Sequence, residues 1–219
     1  LEHRFATVRI RSSRKGTLPL SFAASYAESM LFPRFVQIRQ NLPDRSIADI
    51  PQRIHQELAA SPMAARVPAG SRLAIGVGSR GIANIATIVK AVVQFWKDRG
   101  VHPFVFPAMG SHGAATAEGQ ADVLAHFGIH EATIGAPVVS SLDVIQLGQT
   151  PEDIQVYLDK QAAGSDGIFL VGRLKWHTDF EGDVESGLCK MMAIGLGKLA
   201  GAQQYHSFAY KLGMERVIR

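Results

Sequence analysis

The chain has 219 residues, of which 47% are hydrophobic and 19% charged, with a net charge of +4. This composition is ordinary for a globular protein with enough apolar surface for one large or two small domains. No apolar run approaches the ~20 residues that a membrane-spanning helix needs, which argues against a membrane protein. The basic residues are scattered along the chain, which argues against a nucleic-acid partner.

The single cysteine excludes an intramolecular disulfide. Arg11, Arg14 and Lys15 interrupt the N-terminal segment before any long apolar core, so it does not have the pattern of a secretory signal. Both observations are typical of a cytoplasmic protein, and we expect that location. The sequence leaves the oligomeric state open.

The first 70 residues show little regular pattern, whereas strands and helices alternate clearly from residue 71 onward. In the first part we expect short strands over 8–11 and 35–38, and a helix that begins near Ile47 and runs to about residue 60. In the second part we expect helices over 82–99 and 116–127 and strands over 73–77, 102–107, 144–147, 154–158 and 168–171.

This alternation predicts an α/β fold, with a parallel, Rossmann-like sheet and helices on both of its faces. We therefore divide the chain into an N-terminal segment, residues 1–70, packed on a main α/β domain, residues 71–219.

Chemically useful side chains follow three of the expected strands. Arg80 follows the first strand, His112 the second and His177 the last. In sheets of this kind ligands bind beyond the carboxyl ends of the strands. The topology should therefore bring Arg80, His112 and His177 to one edge.

A lysine and a further histidine extend this set. Lys190 lies 13 residues after His177 and 16 before His206, in an apolar stretch flanked by glycine. Imidazole is the commonest protein metal ligand and proton shuttle, and a desolvated lysine can act as a nucleophile. Together with Arg80, whose guanidinium can grip a carboxylate, these residues suggest a metal-cofactor site.

Each of these residues also has an ordinary interpretation when taken alone. Arg80 would be a solvated surface residue, and the histidines would be hydrogen-bonded to backbone. The run from Gly76 to Gly81 fits the pattern G-x-G-x-x-G, which is compatible with dinucleotide binding. The acidic residue expected at the end of the next strand is absent, so we favour a tight strand-to-helix turn or an anion-binding turn.

Several motifs in order resemble the N-terminal domain of the nickel-dependent lactate racemase family. The similarity covers about two-thirds of the chain, from residue 69 to residue 206. The matching features are Arg80 in the turn after the first strand, Gly110-Ser111-His112, Leu147-Gly148-Gln149-Thr150, Ser165-Asp166-Gly167-Ile168 leading to Gly172 and His177, and the spacing of Lys190 and His206.

The resemblance implies an isomerase that racemises or epimerises a small 2-hydroxy acid by hydride transfer at C2. Members of the family use a nickel-pincer nucleotide, in which a modified pyridinium mononucleotide binds nickel. By this resemblance Lys190 would carry the cofactor through a thioamide and His206 would bind the nickel. His112 and His177 would be the paired acid and base, and Arg80 would bind the substrate carboxylate.

Departures from the family pattern leave the identity of the 2-hydroxy acid open. Val77 and Gly78 stand where members active on lactate have an acidic residue, and Gly113 stands where arginine is common. The family's second domain has no counterpart before Arg219, so we expect a fragment that is inactive by itself. The alternative is a non-catalytic α/β domain that binds an anionic small molecule at its strand ends, for which Lys190 and His206 would be unnecessary.

Overall fold

The computed structural model describes residues 9–10 and 38–219, and side chains from residue 39 onward. The chain divides into two units, residues 1–47 and residues 48–219. In the first unit, β1 (Arg9–Ile10) pairs with β2 (Ile38–Arg39) in an antiparallel arrangement. The rest of the strands expected over 8–11 and 35–38 lies outside the described residues.

The second unit begins with two helices, α1 (Ile50–Ala60) and α2 (Met63–Arg66). The Asp49 side chain caps α1 by accepting a hydrogen bond of 2.9 Å from the Gln52 N–H. Ile54 of α1 and Ala64 of α2 pack into the main hydrophobic core. Residues 48–70, which the sequence pattern groups with the N-terminal segment, therefore share a core with the residues that follow.

Strands and helices alternate through the rest of the unit, as the sequence predicts. The elements are β3 (Arg72–Val77), α3 (Ile85–Asp98), β4 (His102–Pro107), α4 (Ala117–His126), α5 (Glu131–Ile134), β5 (Val144–Gln149), β6 (Gln155–Asp159), α6 (Lys160–Ala163), β7 (Gly167–Val171), α7 (Leu188–Lys190), α8 (Lys198–Leu212) and α9 (Met214–Ile218). A 3₁₀ turn covers Gly113–Ala115, and a π-helical segment covers Met191–Gly195.

A three-stranded parallel sheet in the order β4-β3-β7 forms the centre of the unit. On one face, alternate residues of β3 such as Ile75 and Val77 pack with Val89, Val93 and Trp96 of α3. On the other face, Ala74, Phe104 and Phe106 pack with residues that include Ala162 of α6 and Leu158 of β6. Burial on both faces explains why these strands are continuously apolar. The fold is therefore mixed α/β, with a parallel sheet flanked by helices.

Two of the expected strands lie outside this sheet. β5 and β6 form a separate antiparallel pair, with Val144 opposite Asp159 and Gln149 opposite Gln155. Only residues 150–154 connect them, which is too short for the crossover that parallel strands require. The alternation of strands and helices thus predicts the central sheet correctly, while the hairpin follows from the length of the connection.

The two longest helices expected in the main domain are confirmed as α3 and α4. The Thr116 hydroxyl caps α4 by accepting a hydrogen bond of 3.0 Å from the Gly119 N–H, as its position predicts. Gly128, with φ of +78°, follows the end of α4. Within residues 9–10 and 38–219, no helix has the length and apolar character needed to cross a membrane.

Candidate functional site

A cleft of about 240 Å³ lies at the carboxyl edge of the parallel sheet. The residues that follow β3, β4 and β7 line it, together with residues of α7, the π-helical segment and α8. All five residues selected from the sequence contribute to this lining, namely Arg80, His112, His177, Lys190 and His206. Their juxtaposition is a finding, and the roles that the resemblance assigns to them remain predictions.

The strand order determines how three of these residues are arranged. Arg80 follows β3, the central strand, whereas His112 follows β4 and His177 follows β7, the two flanking strands. The two imidazoles therefore enter the cleft from opposite sides of the strand that carries the guanidinium.

His112 lies in the turn after β4 and is tied to the turn after β3. Its Nδ1 atom is hydrogen-bonded to the Ser79 hydroxyl. Burial lowers the pKa of His112, and the positive charges of Arg80 and then Lys190 lower it further. The imidazole is therefore neutral at pH 7 and has a lone pair available to accept a proton.

His177 is held by the loop that connects β7 to α7. Its backbone N–H donates to Glu185 Oε2 at 2.6 Å, and its Nδ1 atom accepts a hydrogen bond of 3.1 Å from the Asp179 N–H. The ring packs on Phe180, with 4.2 Å between ring centroids. Burial lowers the pKa of His177, as do Lys190 and Lys175, while Asp179 and Glu185 partly oppose the effect.

Lys190 at the end of α7 is a direct neighbour of His177, with 2.7 Å between Nζ and Nε2. Because Nδ1 of His177 accepts from the Asp179 N–H, the proton of a neutral imidazole lies on Nε2. That proton then points to Nζ, which can accept it only as a neutral amine. Burial lowers the pKa of Lys190, and the charges of Lys175 and Arg80 lower it further, in agreement with this assignment.

His206 lies on α8, where a backbone carbonyl fixes its tautomer. Its Nδ1–H donates to the Ala202 carbonyl at 2.6 Å. In a neutral imidazole this leaves the lone pair on Nε2, the usual arrangement when a histidine binds a metal through that atom. The geometry of His206 is therefore suited to metal binding.

The cleft is rich in cationic side chains. Arg80, Arg173, Lys175 and Lys190 line it, and none of the described lining residues is Asp or Glu. In the described part of the chain, none of these four side chains forms an ion pair with a carboxylate. The site is therefore suited to an anionic ligand, which these charges would attract and orient.

The packing around the cleft depends on close backbone approach. A Cβ atom on Gly195 of the π-helical segment would lie 2.8 Å from the Ala108 carbonyl oxygen, just beyond the end of β4. Only glycine permits this contact. π-Helical turns occur frequently at functional sites, and this one directly follows Lys190.

Several polar and charged residues of the cleft, and one supporting residue, were not selected from the sequence. Ser79, Arg173 and Lys175 line the cleft, and each follows a strand of the parallel sheet, so the strand-end rule could have identified them. Glu185 follows Asp179, Glu181 and Asp183 in an acidic stretch, a pattern typical of a solvated loop. Its hydrogen bond to the His177 backbone has no local sequence signal, since it depends on how the loop folds back.

The glycine pattern after β3 is not a strand-to-helix phosphate turn of the dinucleotide-binding type. Residues 78–84 separate β3 from α3, and Asn84 with φ of 61° precedes the helix. Gly81 is thus several residues from the helix start. β4 ends at Pro107 without an acidic residue. Both features argue against dinucleotide binding, and the seven-residue connection is longer than the tight strand-to-helix turn expected from the sequence.

Among the described residues, no group of three or more His, Cys, Asp or Glu side chains is arranged to hold a metal ion. Searches against protein-family models and against curated proteins find no match to this chain.

Proposed function

We propose that this protein is a nickel-pincer-nucleotide-dependent racemase or epimerase of a small 2-hydroxy acid. The observation that carries the proposal is the convergence of Arg80, His112, His177, Lys190 and His206 in one cleft. They span 127 positions of the chain, from Arg80 to His206, so the fold and not sequence proximity brings them together.

The side chains present fit the cofactor in their donor chemistry. A neutral Lys190 amine can form an amide or thioamide bond, and the free Nε2 atom of His206 can bind nickel. Arg173 and Lys175 supply positive charge for the nucleotide phosphate. When bound, the cofactor would supply a hydride acceptor for the substrate carbon.

The protein's own part in the reaction is binding and proton transfer. Arg80 would hold the substrate carboxylate through two parallel hydrogen bonds. One of the neutral imidazoles, His112 or His177, would take the proton of the substrate hydroxyl, and the other would serve the opposite enantiomer. Their entry from opposite sides of β3 supports this division of work.

Attachment at Lys190 would also change the state of His177. The amine nitrogen loses its basic lone pair on acylation, so it can no longer accept the Nε2–H of His177. To take a substrate proton at Nε2, the ring must then carry its own proton on Nδ1 and give up the hydrogen bond from the Asp179 N–H. With that tautomer, a lysine 2.7 Å from His177 is compatible with both roles.

Intact mass spectrometry of the protein from a host that makes the cofactor tests the proposal. We expect a covalent adduct on Lys190 that is absent from Lys190→Ala, while Lys175→Ala in the same cleft retains it. His206→Ala should keep the adduct and lose nickel. An adduct that survives Lys190→Ala, or normal nickel content in His206→Ala, would contradict the assignment.

Turnover assays on cofactor-loaded protein that also contains the family's second domain separate the remaining roles, since the chain by itself is expected to be inactive. His112→Ala and His177→Ala should retain nickel and lose racemisation by ~10²–10⁴-fold, the range for a lost acid or base. Loss of nickel in His112→Ala with normal nickel in His206→Ala would reverse the two roles.

The absence of carboxylates from the described lining favours one second candidate, a non-catalytic domain that binds an anionic small molecule. Titration calorimetry with lactate and with inorganic phosphate, on protein made without cofactor, examines this function. Anion binding that depends on Arg80 and Arg173 but not on Lys190 or His206, with no adduct in any host, would favour it.

A further inference from the structure

Lys198, the first residue of α8, is a fully buried lysine at the base of the cleft walls. Its side chain is 0% exposed. Nζ donates to the Pro107 carbonyl at 2.7 Å and to Gln120 Oε1 at 2.6 Å, and it lies 3.6 Å from Asp159 Oδ2. Two hydrogen-bond acceptors and a carboxylate within ion-pair distance thus surround the buried amine, which is the kind of surrounding that a buried charge requires.

Gln120 connects this lysine to the turn that carries His112. It is also 0% exposed, and its Nε2 atom donates to the Gly110 carbonyl at 2.8 Å and to the His112 carbonyl at 3.3 Å. Its oxygen is occupied by Lys198, so the side-chain amide is fully used and its orientation is fixed. The backbone on both sides of Ser111 is therefore held from beneath by one glutamine.

The backbone conformation of Lys198 is unfavourable, which indicates that its side-chain contacts hold it in place. Lys198 has φ of +54°, in the left-handed region that non-glycine residues rarely adopt. Such a conformation persists when the surrounding structure over-determines it. Asp159, which is 1% exposed, helps to hold Lys198 in this conformation because Asp159 is itself fixed. Its second carboxylate oxygen caps α6 by accepting hydrogen bonds from the N–H groups of Gln161 and Ala162.

Direct packing also joins the turn that carries His112 to α8, the helix that carries His206. A Cβ atom on Gly110 would lie 2.8 Å from Ile194 Cγ2 and 3.4 Å from the Ala202 side chain of α8. Ala202 also supplies the carbonyl that fixes the tautomer of His206. The turn that carries His112 and the helix that carries His206 therefore pack together at Gly110. The hydrogen bond between Gln120 and Lys198 also connects them.

We propose that Lys198 and Gln120 are positioning residues, which hold the turn of His112 at a fixed place relative to the helix that carries His206. Neither side chain lines the cleft, so both act through the backbone. The inference rests on the proposed function only for the roles of His112 and His206, since the positioning itself can be measured without cofactor.

The first test is the pKa of each cleft histidine, measured by NMR on the protein without cofactor. The charged groups that act on His112 are Arg80 and Lys190, and its hydrogen-bond partner is Ser79. Gln120→Met changes no charge. It should release the turn, expose the His112 imidazole and raise its pKa toward the ordinary value. The pKa of His177, on a separate loop, should not change.

If Gln120→Met is too unstable to measure, a second variant tests the same prediction. Lys198→Met combined with Asp159→Asn removes both buried charges together and should give the same selective change at His112. Lys160→Met, at an exposed lysine that lies 4.0 Å from Asp143, is the matched control and should leave both histidines unchanged.

The loaded enzyme supplies an independent readout. Gln120→Met should lower kcat by up to ~10²-fold with nickel and adduct retained, because a small displacement of a proton-transfer group is sufficient for such a loss. A lower Tm with unchanged His112 pKa and unchanged kcat would overturn the proposal. A selective change of the His112 pKa, with no covalent adduct on Lys190 in protein from a host that makes the cofactor, would instead disprove the racemase assignment and keep the positioning role.

Discussion

The Nζ atom of Lys190 lies 2.7 Å from Nε2 of His177, and an imidazole that accepts the Asp179 N–H at Nδ1 directs its Nε2–H at that amine. This relationship couples the residue expected to carry the cofactor to one expected to move protons. It also gives Lys190 a reactivity that can be measured without cofactor or substrate.

We expect Lys190 to react with a limiting pulse of acetic anhydride at neutral pH faster than other lysines. Its pKa lies below the ordinary 10.5, chiefly because of burial, and each unit of lowering leaves about tenfold more free amine at pH 7. Peptide mass mapping across a pH series measures the labelling rate. Lys175 in the same cleft is the internal control.

His177→Ala should reduce the labelling of Lys190 at pH 7, because the substitution removes the imidazole that donates to the amine and opens the site to water. Equal labelling of Lys190 and Lys175 at every pH would show that Lys190 is an ordinary ammonium group.

His112 and His177 should make stability depend on pH below neutrality. Their pKa values in the folded protein are lowered from 6.5, so the unfolded chain binds more protons below that pH. Stability therefore rises with pH in this window and is lost as pH falls from about the unfolded value to the lowered folded values. Urea unfolding at several pH values should show this loss.

The double variant His112→Asn/His177→Asn should have a flatter dependence on pH over the same window. His126→Asn, at an exposed position on α4, serves as the control and should leave the slope as it is. A slope of opposite sign would mean that the folded protein binds the protons more tightly.

The sequence predicted the parallel sheet because its strands are buried on both faces and therefore continuously apolar. It also predicted the convergence of Arg80, His112 and His177, because parallel strands end at one edge of a sheet. These are general consequences of topology, and they needed no knowledge of any single contact. Helix boundaries such as the Thr116 cap of α4 followed from local chemistry in the same way.

The support beneath the site was not predictable in this way. Gln120 is one polar residue on an otherwise ordinary amphipathic helix, and Lys198 lies 78 positions further along the chain. A lysine is most often solvated, so nothing local marks Lys198 as buried. The contact exists only because α4, β4 and α8 meet, and such long-range polar pairing has no periodic signature.

Gly110 should be among the least tolerant positions of the site. It has φ of +65°, and an added Cβ would lie 2.8 Å from Ile194 Cγ2 and 3.2 Å from the Ile194 carbonyl oxygen. Gly110→Ala should lose ~1–3 kcal/mol of unfolding free energy from overpacking, in addition to the left-handed backbone penalty of roughly 1–2 kcal/mol. Chemical denaturation measures the sum.

Gly70→Ala isolates the backbone part of that loss. Gly70 has φ of +85°, and nothing lies within 4 Å of the position of its Cβ. This control should show the conformational penalty alone. If the two variants lose equal stability, the contact between Gly110 and Ile194 does not constrain the turn.

Arg80→Lys should weaken the use of a 2-hydroxy acid while the nickel adduct stays in place. The guanidinium follows β3 at the edge of the cleft, where its planar fork can meet both oxygens of a carboxylate. Lysine keeps the charge and loses the second parallel hydrogen bond. One hydrogen bond to a charged group contributes about 1.5–3 kcal/mol, so kcat/KM should fall by ~10–100-fold.

Steady-state kinetics at equal cofactor loading measure this ratio. The control is Arg216→Lys, at an arginine paired with Glu152 at 2.9 Å. An unchanged kcat/KM in Arg80→Lys would mean that Arg80 is a solvated side chain at the rim, and substrate charge would then have to be met by Arg173 or Lys175.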